Sequence, residues 1–310
     1  MLSLGTVTPI FSQSFNTGIL FNPGITFGSE FLMPSAINDS TDFQLAKYKL
    51  QFSQPLKTKI GIEGLTLKDF SFKKLDAKAS QIFLNYNFSV FQPKITNNNS
   101  FENIYNAGIG LTAITASLRN GIWVYSANVF ASENENTLTK SFTPNFRAYV
   151  ANLKTKNFKT FYFYGGGLLI NQGQFIPFPL LGLRTKLSSN LKLEIILPLH
   201  TKLNYQINNN VDIDVVAHFN GINTVYRQGS VFSNNDQTLN FRQLKTYLAL
   251  NSQLVKHYKL KIEGGYSSLQ QFYSWENKTS QKIDAAPYVG ISLTYSFGKS
   301  VFGNFINQGE

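Results

Sequence analysis

The chain has 310 residues and a formal net charge of +11, with 28 Phe, 15 Tyr and no Cys. The absence of cysteine excludes disulfide frameworks, thiolate metal sites and cysteine nucleophiles. No run of about 18 apolar residues occurs, which excludes a transmembrane helix but not a membrane-spanning β-barrel, whose strands alternate apolar and polar residues.

The first 13 residues are apolar and small, as at the end of a signal peptide. The basic residues that open such a peptide are missing, since the first basic residue is Lys47. We expect residues 1–13 to be the remnant of a signal peptide that starts upstream, with an ordinary N-terminal loop as the alternative. Residues 14–310 are then expected to form a single barrel domain.

The first third of the chain contains strands with one apolar and one polar face. A strand-like run over residues 25–33 ends at Pro34. Apolar and basic side chains alternate over residues 46–52, and the alternation returns over residues 81–91. Between them, residues 58–78 would place charged side chains on both faces of a strand. We therefore predict that they form a hairpin outside a bilayer.

An Asn-Gly pair at residues 120–121 predicts a tight hairpin between strands over residues 106–113 and 123–129. A strand around residues 146–150 and a Tyr/Phe-rich strand follow. The Gly165-Gly166-Gly167 sequence precedes no helix, so it does not indicate a phosphate loop. It indicates instead a place where bulky neighbours need room or the strand bends.

The alternation is clearest over residues 175–219, where three successive strands repeat it. The turns between them, at residues 188–190 and 208–210, are short enough to require antiparallel hairpins. Further strands are centred near Leu248 and Ile262. The last alternating strand ends at Phe297 and resembles the C-terminal recognition strand of outer-membrane barrels, so the barrel-assembly machinery is an expected partner.

Two regularities predict the fold class. From Arg119 onward the connections alternate between short and long, and the chain ends on the short side, as in outer-membrane barrels. Aromatic residues lie near strand ends, as interfacial girdles require, at Trp123, Phe146, Tyr205, Tyr295 and Phe297. We therefore predict an all-β, antiparallel transmembrane β-barrel, with a soluble β-sandwich as the alternative.

About fifteen strand candidates can be counted, whereas a single-chain barrel has an even number of strands. Residues 58–72 are the weakest candidate and are expected to drop out. The prediction is therefore about 14 strands, with 12 as the next choice.

A family resemblance rests on four segments: QFSQPLKTKIGI, LTAITASLRNGIWVYSANVFAS, FIPFPLLGLRTKLSSNLKLEIILPL and HTKLNYQINNNVDIDVV. They resemble a family of Gram-negative outer-membrane β-barrels known only as a domain of unknown function. The chain departs from the family at Leu191, where an aromatic residue is typical, and over residues 57–92, which are longer. The resemblance implies an outer-membrane location in a Gram-negative bacterium, with outer-membrane lipids and other envelope proteins as candidate partners, and no catalytic residue.

Charged residues on the polar strand faces are candidates to line the barrel interior. They are Lys47, Lys49, Arg147, Arg184, Glu194, Lys202, Asp212, Asp214, Lys245, Lys261 and Glu263. The hairpin registers predict that Arg184 faces Glu194 and that Lys245 faces Glu263. The charges left over are mainly basic, so we expect an open interior to prefer anions. Because the bases are scattered singly along strands, no nucleic-acid partner is expected.

The sequence contains little that supports a catalytic function. His200, His218 and His257 lack the spacing of a metal site, and no cofactor or metal is expected. His218 and Asp214 share a strand face but lie about 13 Å apart, which favours solvation over a hydrolase site. We therefore expect a non-enzymatic protein that acts as a passive conduit for small anionic solutes or as a structural or assembly subunit of the outer membrane. A lipid-modifying enzyme of that membrane is the alternative.

Overall fold

The computed structural model describes residues 23–63, 76–96, 102–117, 121–134, 144–157, 159–171, 174–226, 237–274 and 279–297. The predicted signal-peptide remnant, residues 1–13, lies outside these ranges. None of the described residues forms a helix long and apolar enough to cross a membrane.

Every regular element in the described ranges is a β-strand. The strands are β1 (Gly24–Asn38), β2 (Thr41–Glu63), β3 (Asp76–Ile95), β4 (Ile104–Ser117), β5 (Gly121–Asn134), β6 (Asn145–Asn157), β7 (Thr160–Asn171), β8 (Gln174–Lys186), β9 (Leu191–Leu197), β10 (His200–Asn208), β11 (Val211–Tyr226), β12 (Gln237–Val255), β13 (Tyr258–Ser274), β14 (Thr279–Ile283) and β15 (Ala286–Ser296).

The strands close into a barrel. From β1 to β13 each strand pairs antiparallel with its neighbours in chain order, and β15 pairs with both β13 and β1. β14 and β15 lie along the same edge of β13, β14 against residues 270–274 and β15 against residues 258–267. They therefore share one position in the ring. The predicted antiparallel barrel of 14 strands is confirmed.

The surplus strand candidate was assigned wrongly. Residues 58–63 were expected to drop out, but they continue β2 to Glu63, which pairs with Asp76 at the start of β3. The surplus arises instead at residues 284–285, where one strand position is broken into β14 and β15. β1 also runs beyond Pro34, because a register shift between Leu32 and Ser35 accommodates the proline. The predicted turn residues 64–75 lie outside the described ranges.

The outer surface of the barrel is apolar. Large side chains on the outward parity are widely exposed, among them Leu248 (59%), Leu181 (53%) and Tyr48 (50%). An exposed apolar surface that encircles the molecule cannot be maintained in water and is that of a transmembrane barrel. Tyr258, Tyr295 and Phe297 form an aromatic cluster at one edge of this belt, with ring centroids 4.9 and 5.4 Å apart.

The two ends of the barrel differ. Gly24 pairs with Ser296, so the described strands begin and end at the same end, which we call the inner end. At the opposite, outer end, the β9–β10 hairpin is low, with strands of 7 and 9 residues, whereas β11 has 16. Above this hairpin β11 leans across and pairs in parallel with β5 at Val225 and Glu133. The Thr224 hydroxyl donates to the Ser132 carbonyl at 2.9 Å.

The expected alternation of short and long connections is only partly present. At the outer end residues 96–103, 135–144 and 227–236 are longer connections, but residues 172–173 and 198–199 join their strands as tightly as inner-end turns do. The expectation of long connections at this end is therefore wrong for the β7–β8 and β9–β10 hairpins.

Much of the interior from β3 to β9 is filled with apolar side chains, which we call the inner core. Its members are Phe83, Ile114, Ile122, Val124, Phe130, Tyr149, Leu153, Phe163, Leu169, Phe178, Leu180, Ile196 and Leu199. Two interior glycines make room for it. Gly182 pairs with Phe163 and Gly167 with Phe178, and a Cβ at either glycine would overlap the ring of its partner. This is the crowding that the glycine run predicted.

We expect Gly182→Ala to destabilise the barrel by about 1–3 kcal/mol, because the added methyl group must displace the Phe163 ring from a packed core. Gly166→Ala is the matched control, since its Cβ would meet only the Phe178 carbonyl oxygen at 3.6 Å. Urea unfolding followed by circular dichroism in vesicles measures both. Equal unfolding midpoints for the two variants would contradict the packing argument.

Candidate functional site: a charged vestibule in the barrel interior

All eleven charged candidates lie on the interior-facing parity of their strands, as the registers define it. Ten of them gather on β2 and on the strands from β8 to β13. Arg147 stands apart on β6, with its guanidinium 5.9 Å from the Phe130 ring centre. The interior is therefore divided into an apolar part, the inner core, and a charged part.

Glu30 of β1, which was not among the predicted interior residues, lies at the centre of the first charged cluster. Its carboxylate accepts a hydrogen bond from Lys245 of β12 at 2.5 Å and lies 3.8 Å from Lys47 and 3.5 Å from Lys49. Lys245 reaches it from across β13 and β15. Three lysines thus converge on one buried carboxylate, and this ion cluster ties β1, β2 and β12 together.

Glu194 of β9 organises a second cluster. Arg184 faces it in the predicted register and lies 3.6 Å away. His200 and Lys202 of β10 lie 2.8 and 3.6 Å from the same carboxylate. His218 pairs in register with His200, and the two ring centres are 6.3 Å apart.

Asp212 and Asp214 form a third cluster nearer the inner end. The side-chain amide of Asn204 donates to both carboxylates, at 2.9 and 2.7 Å. The amide of Asn251 does the same, at 2.6 and 2.8 Å. Lys259 approaches Asp212 at 3.6 Å. These contacts satisfy the carboxylates without a bound ion.

The predicted Lys245–Glu263 pair is wrong. Lys245 faces Ser267, and Glu263 faces Ala249 and pairs with Lys261. The prediction paired Ser252 with Lys256, but β12 continues to Val255 and the turn lies at residues 256–257, so Ser252 pairs with Leu260.

The basic remainder was also described wrongly, because the lysines expected to be left over are paired. Lys47 and Lys49 contact Glu30, Lys202 contacts Glu194, and Lys261 contacts Glu263. Glu30, which was not among the predicted interior residues, supplies the acidic partner for Lys47 and Lys49. The basic side chains are in excess, but they contact carboxylates in clusters in which several basic groups share one acid.

Water reaches the charged region from the inner end. Side chains near that end are accessible, such as Lys259 (42%) and Lys261 (29%). Accessibility falls further in, to 11% at Glu30, 9% at Lys47 and 7% at Lys245. The charged region is therefore a vestibule that opens at the inner end and ends at the Glu30 cluster.

An apolar cluster closes the barrel beyond Glu30, and we call it the outer plug. It comprises Leu32, Phe43, Leu45, Phe91, Ile95, Ile104, Ile222, Phe241, Phe272, Ile283, Ala286 and Tyr288. Phe43, Phe241 and Phe272 form its centre, with ring centroids 5.0 to 5.4 Å apart although they come from β2, β12 and β13. Lys245 lies under the plug, 4.3 Å from the Tyr288 ring centre.

Two of the missed contributors carried a signal in the sequence. Glu30 continues the interior parity of Thr26 and Gly28, between the outward Phe27 and Phe31, and is the first charged residue of the chain. Lys259 lies two residues before Lys261 and therefore on the same, interior face of its strand. The meeting of His200 and His218 required the strand register, which their separation in the chain does not reveal.

The interior offers no recognisable metal site among the described residues, where no three His, Cys, Asp or Glu side chains come close enough to bind one ion. His218 has His200 and Lys245 as its register partners on the adjoining strands. Asp214, the acid considered for a hydrolase site, is engaged by Asn204 and Asn251.

Solved structures of outer-membrane barrels resemble this fold at low identity. The COG4313 outer membrane channel from Pseudomonas putida F1 is 9% identical, with a TM-score of 0.40 over 89% of this chain and 97% of that chain. The translocator domain of the autotransporter NalP from Neisseria meningitidis is 8% identical, with a TM-score of 0.32 over 89% of both chains. The outer membrane channel DcaP of Acinetobacter baumannii is 9% identical, with a TM-score of 0.27 over 88% and 96%. Likenesses of this size carry no argument about activity.

No protein with a curated description matches the sequence. Residues 37–305 match the family described as Domain of unknown function (DUF6268). This match covers more than half of the chain and agrees with the resemblance drawn from its strand segments, so the protein belongs to the DUF6268 family.

Proposed function

We propose that the protein is an outer-membrane barrel that acts as a passive conduit for small anionic solutes, with its inner end toward the periplasm. An even number of strands, an apolar belt and an aromatic edge support the outer-membrane location. The orientation is supported by the position of Gly24 and Ser296 at the inner end, since barrels of this class keep both chain ends in the periplasm.

The composition of the vestibule carries the proposal. Among the described residues its cations are Lys47, Lys49, Arg184, Lys202, Lys245, Lys259 and Lys261, and its carboxylates are Glu30, Glu194, Asp212, Asp214 and Glu263. Cations are therefore in excess. Low-dielectric walls concentrate the field of such an excess and raise the local concentration of anions.

The arrangement of the cations suits anion transfer. Lys202, Lys261 and Lys49 are reached by water, and each already shares a carboxylate. A small anion can replace the carboxylate at Lys49 or Lys202 without leaving a buried charge unpaired, which is the costly outcome, because Glu30 and Glu194 keep their other basic partners. The lysines thus provide successive binding positions for an anion between the inner end and the Glu30 cluster.

The outer plug makes this conformation a closed one. Phe43 and Phe241 are each 1% exposed, and the β5–β11 contact crosses the same end. Passage through the barrel therefore requires the plug to separate. Ionic selectivity is best measured in a barrel from which part of the plug has been removed, as in the double variant Phe43→Ala/Phe241→Ala.

In that double variant we expect the reversal potential in a KCl gradient to indicate a preference for chloride. Adding Lys47→Glu and Lys49→Glu should weaken or invert it, because the deepest part of the vestibule then carries a carboxylate excess. Lys57→Glu with Lys94→Glu is the matched control, since both residues lie on outward parity of β2 and β3. Planar-bilayer recordings with cation preference before the lysine changes would overturn the proposal.

A structural role is the second candidate, and the extensive packing of the inner core favours it. Absence of current in both the native barrel and the plug variant would support that role against the conduit. The lipid-modifying enzyme requires His218 to act on a nucleophile within hydrogen-bond reach. A lipid-release assay that compares the native protein with His218→Ala tests it. Release by the native protein that is lost in the variant would favour the enzyme.

A further inference from the structure

The outward face of the barrel contains a groove near the inner end that interrupts the apolar belt. Its volume is about 1340 Å³, and it is shared by β2 to β7. Outward-facing lining residues are Lys59, Gly61, Lys78, Ser80, Thr115, Ser117, Trp123, Tyr125, Asn152, Lys154 and Tyr164. We call it the outer groove. It lies outside the vestibule and has no part in the proposed conduit.

The outer groove has the chemistry of an anion site. Three exposed lysines, Lys59, Lys78 and Lys154, line it, and its described lining contains no carboxylate. Hydroxyl groups of Ser80 and Thr115 lie on the same face. Glu63 and Asp76 are register partners on the same outward parity, two residues beyond Gly61 and Lys78, and are not part of the lining. A compact anion with several acceptor oxygens fits such a set of donors.

The position of the groove matches the membrane interface. Trp123 and Tyr125 are stacked with ring centroids 6.2 Å apart, and the Lys154 ammonium lies 5.6 Å from the Tyr164 ring centre. Trp and Tyr are characteristic of the level of lipid headgroups. The lysines lie on the inner-end side of these rings or beside them, where headgroup phosphates are found.

A separate apolar trough lies nearer the outer end on four of the same strands, β2 to β5. It has a volume of about 430 Å³, and its lining includes Leu50, Phe52, Phe88, Ile109 and Val129. Thr115 of the groove and Ile109 of the trough are six residues apart on β4, which is about 20 Å along a strand. Between them the outward side chains are those of Leu111 and Ala113, which are both apolar. An acyl chain can therefore extend from the groove into the trough.

We infer that the outer groove binds an acidic phospholipid of the membrane leaflet at the inner end. The lysines contact the headgroup phosphate, and one acyl chain lies in the trough. Zwitterionic phospholipids offer the same phosphate with an added cation that the three lysines repel. The site therefore selects acidic over zwitterionic headgroups.

Trp123 lines the groove and provides the readout. The other tryptophan, Trp275, is replaced by Phe so that Trp123 is the only one. The barrel is reconstituted in phosphatidylcholine vesicles that contain a small fraction of either phosphatidylglycerol or phosphatidylcholine with brominated acyl chains. We expect the quenching of Trp123 fluorescence by brominated phosphatidylglycerol to correspond to a local lipid concentration roughly tenfold above that of the bulk bilayer, because basic residues attract acidic lipid.

Lys59→Gln/Lys78→Gln/Lys154→Gln should reduce the enrichment to that of phosphatidylcholine. The charge control, Lys186→Gln/Lys192→Gln/Lys256→Gln, removes the same charge at the inner end from two interior-parity positions and one turn, none of which lines the groove, and should retain the enrichment. Equal quenching by both lipids in the Trp275→Phe barrel, or equal losses when the two triple changes are added to it, would overturn the site. Because the measurement needs no current, its result is independent of whether the barrel conducts.

Discussion

Glu30→Gln is expected to lower the free energy of unfolding by about 3–5 kcal/mol, because removal of one partner leaves buried charges without compensation. Lys245 and Lys47 are 7% and 9% accessible and both depend on this carboxylate. A glutamine keeps the shape and one acceptor oxygen but not the negative charge. Urea unfolding in vesicles, followed by circular dichroism and by heat-dependent gel migration, measures the loss.

Glu263→Gln is the matched control for Glu30→Gln. Its partner Lys261 is 29% accessible and can be solvated, so the cost should be about 1 kcal/mol or less. Adding Lys245→Met to Glu30→Gln should recover part of the lost stability, since an apolar isostere removes one uncompensated charge. Similar losses for Glu30→Gln and Glu263→Gln would mean that the converging lysines do not depend on Glu30.

The barrel could be predicted from the sequence because the controlling signal is local. Alternation over residues 175–219 determines which side chains face outward, and tight turns determine which strands are neighbours. Arg184 and Glu194 were placed together correctly because the intervening turn is short and regular. Lys245 and Glu263 were not, because β12 continues to Val255 and its turn lies at residues 256–257, later than the alternation indicated, so Ser252 pairs with Leu260.

The candidate site depended on contacts that hairpin reasoning does not reach. Lys245 meets Glu30 across two intervening strands, and Phe43 meets Phe241 across the interior. Such contacts depend on how far the barrel is flattened and on how the strands at its outer end lean inward. Neither quantity follows from the alternation of side chains, so the sequence predicted a basic interior but not its clusters or its closure.

Phe43→Ala/Phe241→Ala is expected to raise single-channel conductance by about tenfold or more, because a ring of 14 strands is wide enough to leave an aqueous path once it is not filled by side chains. The two rings lie 5.1 Å apart at the centre of the outer plug, and both are almost fully buried. Their removal joins the water-filled vestibule to the outer end. Planar-bilayer recording of native and variant barrels at equal protein density measures the change.

Each truncation also costs about 3–5 kcal/mol of packing, so a leak caused by loosening alone must be separated from opening. Phe83→Ala/Phe163→Ala removes the same two rings from the inner core, where Phe83 is fully buried and Phe163 is 5% exposed. These residues lie beside the vestibule and not across its end, so their loss should leave conductance unchanged. An increase in both double variants would attribute the current to loosening, and an increase in neither would mean that the plug is not what closes the barrel.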